Sequence, residues 1–355
     1  MEAETIERIP PSRITFHGVR GSSFLEELQR ATANLASGRE VLSLALHTLL
    51  EQLRTAAWGR QRTAERLLVC VLAEGHVLVE DVPGVGKTTL VRALAESLGL
   101  ETRRIQFTPD LLPSDVTGYT YYEPQRRELV FRRGPVFTNL LLADEINRTS
   151  PKTQSSLLEA MEEHQVTIDG EVRELPQPFV VCATENPIEY EGTFPLPESQ
   201  LDRFLLRLRL GYPERGAETE VLMRPGKEQR APRLAQVITR EALIEATEAA
   251  QAVPVGEPVA QYALALAERT RSHPSLILGL SPRGTIAWVR AARALAFVRD
   301  EAYVTPDHLR ELAHEVICHR LVLKPESALH GVSPRAVLDE AIAQTPLPGV
   351  RSAAR

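Results

Sequence analysis

The sequence is poor in cysteine, carries no surplus of basic charge and contains no long apolar run. Its three cysteines, Cys70, Cys182 and Cys318, lie far apart and form neither a C-x-x-C pair nor a metal-ligand spacing. That removes a disulfide framework and a zinc module from consideration. Forty-one Lys and Arg against 47 Asp and Glu give a formal net charge of −6, so no global basic field draws the chain toward nucleic acid. No stretch approaches the ~20 apolar residues needed to span a bilayer. The opening Met1-Glu2-Ala3-Glu4 lacks the basic-then-apolar order of a signal peptide. A cytoplasmic protein with no membrane insertion is the expectation. Its 355 residues suffice for two domains, each with its own core.

Against those absences stands one dense stretch, Glu80-Asp81-Val82-Pro83-Gly84-Val85-Gly86-Lys87-Thr88-Thr89-Leu90. It follows the short apolar run Val77-Leu78-Val79 and precedes a helical pattern with Leu90, Val91, Leu94, Ala95 and Leu98 on one face. Strand, glycine turn and helix are the setting a phosphate-binding loop requires. Gly84 and Gly86 let backbone N–H groups turn inward around phosphates, and the helix N-terminus adds a favourable dipole. Pro83, Val85 and Thr89 complete the loop. Lys87 is placed to reach the β- and γ-phosphates of ATP, and the Thr88 hydroxyl to join Mg²⁺. Asp81 stands where the G-x-x-x-x-G-K-[ST] pattern has its first glycine. A strand–helix turn that happens to contain Gly-Lys-Thr is the bland alternative, and the patterns on both sides weigh against it.

Leu140-Leu141-Leu142-Ala143-Asp144-Glu145 reads as a buried parallel strand ending in two carboxylates, where such sheets bind ligands. Asp144 suits a direct or outer-sphere Mg²⁺ contact, and Glu145 can polarise an attacking water. Phe179–Ala183 is another apolar strand and delivers Thr184-Glu185-Asn186. The Asn186 amide can hydrogen-bond a γ-phosphate and a water; Asn before Pro187 is also ordinary turn chemistry. Upstream, Trp58-Gly59 either lines an adenine pocket or fills core.

Two hairpins are expected. Gln165–Ile168 and Val172–Leu175 flank Asp169-Gly170, a two-residue turn signal. Tyr119–Tyr122 faces Glu128–Arg132 in a stretch that mixes aromatics with Arg126, Arg127, Arg132 and Arg133. That mixture also suits base stacking, but Glu123 and Glu128 dilute the charge and favour the plain hairpin. Arg104–Phe107 reads as a strand, and Gln200–Phe204 leads into a last one, Leu205–Leu208. A polar stretch rich in Pro and Gly, residues 212–232, marks a boundary. Beyond it, helices are expected to start at Thr239, Gly256, Ser281-Pro282, Thr305-Pro306 and Ser333-Pro334. Arg283 falls in a first helical turn, where the dipole disfavours a cation by ~0.3–1 kcal/mol. A phosphate facing it, or simple solvation, would account for it.

Together these motifs resemble the AAA+ ATPases, and closely the MoxR family. The resemblance rests on the Glu80–Thr88 loop and Leu142-Ala143-Asp144-Glu145-Ile146-Asn147-Arg148. It continues through Pro151-Lys152-Thr153-Gln154, Ala183-Thr184-Glu185-Asn186-Pro187, Gln200-Leu201-Asp202-Arg203-Phe204 and Ser281-Pro282-Arg283. It implies an α/β fold, a P-loop NTPase core with a five-stranded parallel sheet between helices, followed by an all-helical lid. By the same resemblance Lys87 and Thr88 are Walker A, Asp144 and Glu145 Walker B, and Asn186 sensor 1. Arg203 is a finger reaching a neighbour's site, and Arg283 is sensor 2. The segments around 109–137 and 165–175 correspond to an insert and a hairpin that face the ring pore or a client. ATP and Mg²⁺ are the implied cofactors. The implied partners are further copies in a homo-oligomeric ring, a hexamer, together with a protein client and a von Willebrand factor A domain protein. The implied work is chaperone-like, including metal-enzyme maturation. A nucleic-acid-directed motor or a nucleotide-gated assembly scaffold are the alternatives. The expected domains are a partly disordered helical extension (1–55), the nucleotide-binding domain (56–215), a linker (216–235), the lid (236–345) and a tail (346–355).

Overall fold

The fold follows from which strands are apolar on both faces. The computed structural model describes residues 38–56, 60–80, 86–186, 192–211, 215–223 and 234–348. The strands of the nucleotide-binding half are β1 (Val77–Glu80), β2 (Thr102–Gln106), β3 (Gly118–Glu123), β4 (Glu128–Arg133), β5 (Leu140–Asp144), β6 (Gln165–Ile168), β7 (Glu171–Glu174), β8 (Val180–Glu185) and β9 (Leu206–Leu208). Five of them form one sheet in the order β2-β5-β8-β1-β9, every pair parallel.

Successive side chains on a strand point to opposite faces, and the sheet therefore serves two cores. Val77 and Val79, Leu140 and Leu142, and Val180 and Cys182 join one core with the lid helices. Leu78, Leu141, Ala143, Val181 and Ala183 join the other, with Leu157, Leu158 and Met161 from the helix Pro151–Glu163. Runs that are apolar at every position are what a sheet covered on both sides requires. The parallel sheet between helices expected from the sequence is present.

Both expected hairpins form outside that sheet. β3 pairs with β4 from Gly118↔Arg133 to Glu123↔Glu128. β6 pairs with β7 across Asp169 and Gly170, whose φ values of 53° and 82° put both in the left-handed region that a tight two-residue hairpin needs. Three of the four arginines of the first hairpin are engaged locally: Arg126 pairs with Glu123 at 3.2 Å, Arg132 donates to the Tyr119 hydroxyl at 3.2 Å, and Arg133 lies over the Phe137 ring.

All five expected lid starts are N-caps. Thr239, Ser281 and Ser333 accept from the N–H of Ala242, Gly284 and Ala336 at 3.2, 3.0 and 3.1 Å. Trp288, fully buried on the helix Pro282–Val298, donates its indole N–H to Leu309 O at 2.8 Å. The lid also holds a short antiparallel ladder, β10 (Leu276–Leu278) with β11 (Val322–Leu323), so it is not helical throughout.

Two stretches carry more structure than their composition suggested. The expected linker overlaps a helix, Arg215–Met223. Within the expected N-terminal extension, the helix Gly38–Ala56 buries Leu42, Leu46, Leu49 and Leu53 against the helices Gln61–Leu72, Lys87–Ser97 and Pro282–Val298. Among the described residues no helix is long and apolar enough to cross a membrane.

Candidate active site

Because the sheet is parallel, the ends of β1, β2, β5 and β8 converge on one edge. A cavity of 360 Å³ opens there, lined by Gly86, Lys87, Thr88 and Thr89 after β1, by Asp144 and Glu145 after β5, and by Asn186 after β8. Gly86 takes φ 88° and forms the N-cap of the helix Lys87–Ser97. That conformation suits glycine, and no side chain caps the helix and no acid occupies its first turn. The N-terminal backbone donors therefore face the cavity without a capping side chain. Pro83, Gly84 and Val85, like Trp58 and Gly59, lie outside the described residues.

The two acids are held by different partners. Thr184 ties them together: Glu145 N–H donates to its Oγ1 at 2.9 Å, and that hydroxyl donates to Asp144 Oδ1 at 3.3 Å. Asp144 Oδ2 accepts from Arg104 Nε at 2.6 Å. Glu145 Oε2 accepts from Gln106 Nε2 at 2.8 Å and from Arg148 at 3.1 Å. Glu145 has φ 57° and ψ 52°, a left-handed conformation uncommon outside glycine, directly after the strand. Such strain is typical of sites where the surrounding structure over-determines one residue.

Arg203 and Arg283 are elsewhere. They line a second cavity, of 370 Å³, which shares no residue with the first. Glu74, Gly75 and His76 precede β1 and Leu205 precedes β9, so this cavity sits at the opposite, amino end of the strands. Glu162 bridges both arginines, Arg283 at 2.6 Å and Arg203 at 3.0 Å. The Arg283 hydrogen bond, with both arginine charges nearby, holds the Glu162 carboxyl below its usual range. Asp202 is engaged by Arg320 at 2.7 Å. His76 donates from Nε2 to Met161 O at 2.9 Å and accepts at Nδ1 from Val181 N–H at 3.0 Å, which fixes a neutral tautomer. Burial lowers its pKa to about 4.

Comparison with known proteins agrees with this geometry. Residues 76–206 match the model of the ATPase family associated with various cellular activities (AAA), and residues 268–341 match an AAA lid domain. The chain is 39% identical over 327 residues to Chaperone MoxR1 of Mycobacterium tuberculosis, covering 89% of this chain and 86% of that protein. The chain belongs to the MoxR family of AAA+ ATPases. It is also 48% identical over 314 residues to the uncharacterized protein YeaC of Bacillus subtilis, covering 87% and 98% of the two chains. A crystal structure from Cytophaga hutchinsonii superposes with a TM-score of 0.81 at 34% identity, covering 90% of this chain and 98% of that one.

The residues of the first cavity fit the nucleotide that such a family binds. An uncapped helix N-terminus, Lys87 and the Thr88 hydroxyl face the same space as Asp144. No group of three or more His, Cys, Asp or Glu among the described residues could cage a metal. Three residues of this cavity were not singled out from the sequence of this MoxR-family chain: Arg104, Gln106 and Thr184. The first two flank the buried Ile105 on β2, the strand that ends beside β5. A polar–apolar–polar triplet at the end of a strand that pairs with the acid-bearing one is the signal that would have found them.

Proposed function

We propose that this MoxR-family chain is an ATP-hydrolysing ring motor that remodels a protein client, its active sites completed between subunits. The observation that carries this reading is the separation of the two cavities. β1 alone is four residues long, about 13 Å at ~3.3 Å per residue, so Arg203 and Arg283 are too far from their own Lys87 to touch its nucleotide. Two cations at the far end of the sheet serve a phosphate only if another subunit brings it.

In each site Lys87 and the backbone N–H groups from Gly86 onward bind the phosphates, while Thr88 and Asp144 hold Mg²⁺. Bound Mg²⁺ neutralises charge on the phosphate oxygens during transfer. Glu145 orients the attacking water and accepts its proton, Asn186 hydrogen-bonds the terminal phosphate, and Arg203 and Arg283 of the next subunit neutralise the charge that spreads over it. Tyr119, Tyr121, Tyr122 and Leu129 on the β3–β4 hairpin and Val172 on β7 are exposed. These apolar tips are a surface for a protein client, whereas Arg126, Arg132 and Arg133 of the hairpin are already engaged locally. The chaperone name of a relative supports the same choice.

The test is complementation. Arg203→Ala and Lys87→Ala are each expected to be nearly inactive, and their mixture to recover hydrolysis, because an intact Arg203 from one chain serves an intact Lys87 site in the other. No recovery at any mixing ratio, with both variants folded and assembled, would overturn the shared site. Client capture is tested separately: Glu145→Gln with ATP is expected to retain a partner protein that the Lys87→Ala chain does not.

A further inference from the structure

The amino-end cavity holds one cation that neither the motifs nor the shared-site reading uses. Arg290 lies seven residues beyond Arg283 on the helix Pro282–Val298, two turns along the same face, and both line the cavity. Four arginines meet three carboxylates there. Glu162 is taken by Arg203 and Arg283, and Asp202 by Arg320. Arg320 also donates to the carbonyls of Asp202 and Phe204 at 3.1 and 2.8 Å, which makes it a brace between lid and sheet. Arg290 has no hydrogen bond and no ion pair among the described residues, and its Nε is buried with no acceptor.

Such a placement is costly. A guanidinium withdrawn from water without a counter-ion is unfavourable. Burial pulls the pKa of Arg290 down, opposed by the charge of Glu74, which forms no ion pair with it. Arg290 as a whole is partly buried, and its Nε is the atom left buried without an acceptor. A cavity-lining arginine with no counter-ion among the described residues suits a ligand from outside the chain, and the ligand an arginine recognises is an anion.

The geometry points to Arg290 as a third cation for the phosphates of the nucleotide bound by the neighbouring subunit, beside Arg203 and Arg283. The inference rests on the shared-site reading. It adds that three of the cavity's four arginines form the receiving face: Glu162 already balances Arg203 and Arg283, and Arg290 has no counter-ion among the described residues. A phosphoryl anion could also enter this cavity free from solution, and the two sources give different results.

The experiment compares Arg290→Met and Arg290→Lys with the wild type. Arg290→Met is expected to lower kcat at least about tenfold, as removal of a single charge-stabilising donor does, with Kd for ATP changed less than about twofold. Its Tm is expected to rise by about 2 °C or more, since a partly buried guanidinium whose Nε lacks an acceptor is gone. Arg290→Lys is expected to restore part of kcat. A mixture of Arg290→Met with Lys87→Ala is expected to recover hydrolysis. A lowered Tm with unchanged kcat would make Arg290 a structural cation and overturn the inference. So would failure of that mixture when Arg203→Ala with Lys87→Ala recovers, whereas failure of both mixtures would count against the shared site itself. Inorganic pyrophosphate raising the Tm of the Lys87→Ala chain, an effect lost on adding Arg290→Met, would mark a free-anion site and overturn assignment to a neighbour's nucleotide.

Discussion

The two ends of the β-sheet differ in their balance of charge: Lys87 and Arg104 match Asp144 and Glu145 at one, whereas four arginines face three carboxylates at the other. At the carboxyl end the acids Asp144 and Glu145 are each held by cations or amides from β2 and the following turn, next to an uncapped helix N-terminus. At the amino end the arginines outnumber the acids, and a single carboxylate, Glu162, serves two of them. On the proposed reading, one end binds a polyphosphate and activates water, and the other receives negative charge. Neither is a complete phosphoryl-transfer site, which needs both. The difference teaches why the proposed function needs assembly: on that reading the two half-sites of one subunit lie at opposite ends of its sheet, and each is completed by a neighbour.

The strongest way to break that comparison is to remove the receiving charge. Arg203→Ala is expected to reduce kcat by about 10³–10⁵, the range for an arginine finger. Its Tm is expected to change little, because Glu162 retains Arg283. If the ion pair with Glu162 were the whole role of Arg203, a thermal melt would show the reverse: a clear loss of Tm with turnover intact.

Next in size is the carboxyl end. Glu145→Gln is expected to lower kcat by about 10²–10⁴, the scale of a lost general base, while ATP still binds. Lys87→Ala is expected to lose binding itself. Equilibrium titration with a fluorescent ATP analogue separates the two, and near-normal turnover in Glu145→Gln would remove that residue from the chemistry.

A smaller effect distinguishes the two Ser-Pro-Arg sequences. Arg283 faces the amino-end cavity, whereas Arg335 is exposed on the helix Pro334–Gln344 and does not line it. Arg283→Ala is expected to reduce kcat about tenfold or more, and Arg335→Ala to leave it unchanged. An ATPase assay showing the larger loss in Arg335→Ala would reverse the choice.

These two ends were not equally legible in the sequence. Asp144 and Glu145 follow a short apolar run directly, Asn186 follows one after two residues, and Lys87 and Thr88 follow one across the glycine loop; such strand-then-loop patterns are local. The hairpin turn at Asp169-Gly170 and the five lid N-caps are local in the same sense. The amino-end cavity is assembled from residues 74–76, 161–164, 202–205, 283–290 and 320. No spacing in the chain predicts that Glu162 will meet both Arg203 and Arg283, because the meeting depends on how the lid packs. The helix Gly38–Ala56 was visible as an apolar pattern, but its place in the main core was not, for the same reason.

A third charged cluster serves as the control for both ends, because it should change stability alone. Arg66, buried on the helix Gln61–Leu72, bonds Glu65, Glu311 and Glu315 at 2.8, 2.6 and 2.7 Å, and Arg299 adds a bond to Glu311 at 2.7 Å. The cluster joins the helix before β1 to the lid and lines neither cavity. The hydrogen bond from Arg299, and then that from Arg66, lower the Glu311 pKa to about 2 from its ordinary value of 4.5. The folded pKa is therefore below the unfolded one, and the unfolded chain takes up the proton first. Its contribution to stability is complete above about pH 4.5 and is lost as pH falls through that value toward about 2. Partial exposure of Glu311 screens the effect and keeps it small. Glu311→Gln leaves Arg66 with Glu65 and Glu315, so a drop of about 2–4 °C in Tm is expected at pH 7, with kcat unchanged. The gap between wild type and variant should narrow as the pH is lowered from 4.5 toward 2, measured by thermal melts at constant ionic strength. A gap that stays constant across that range would show that Glu311 stabilises the chain by packing and not by its charge.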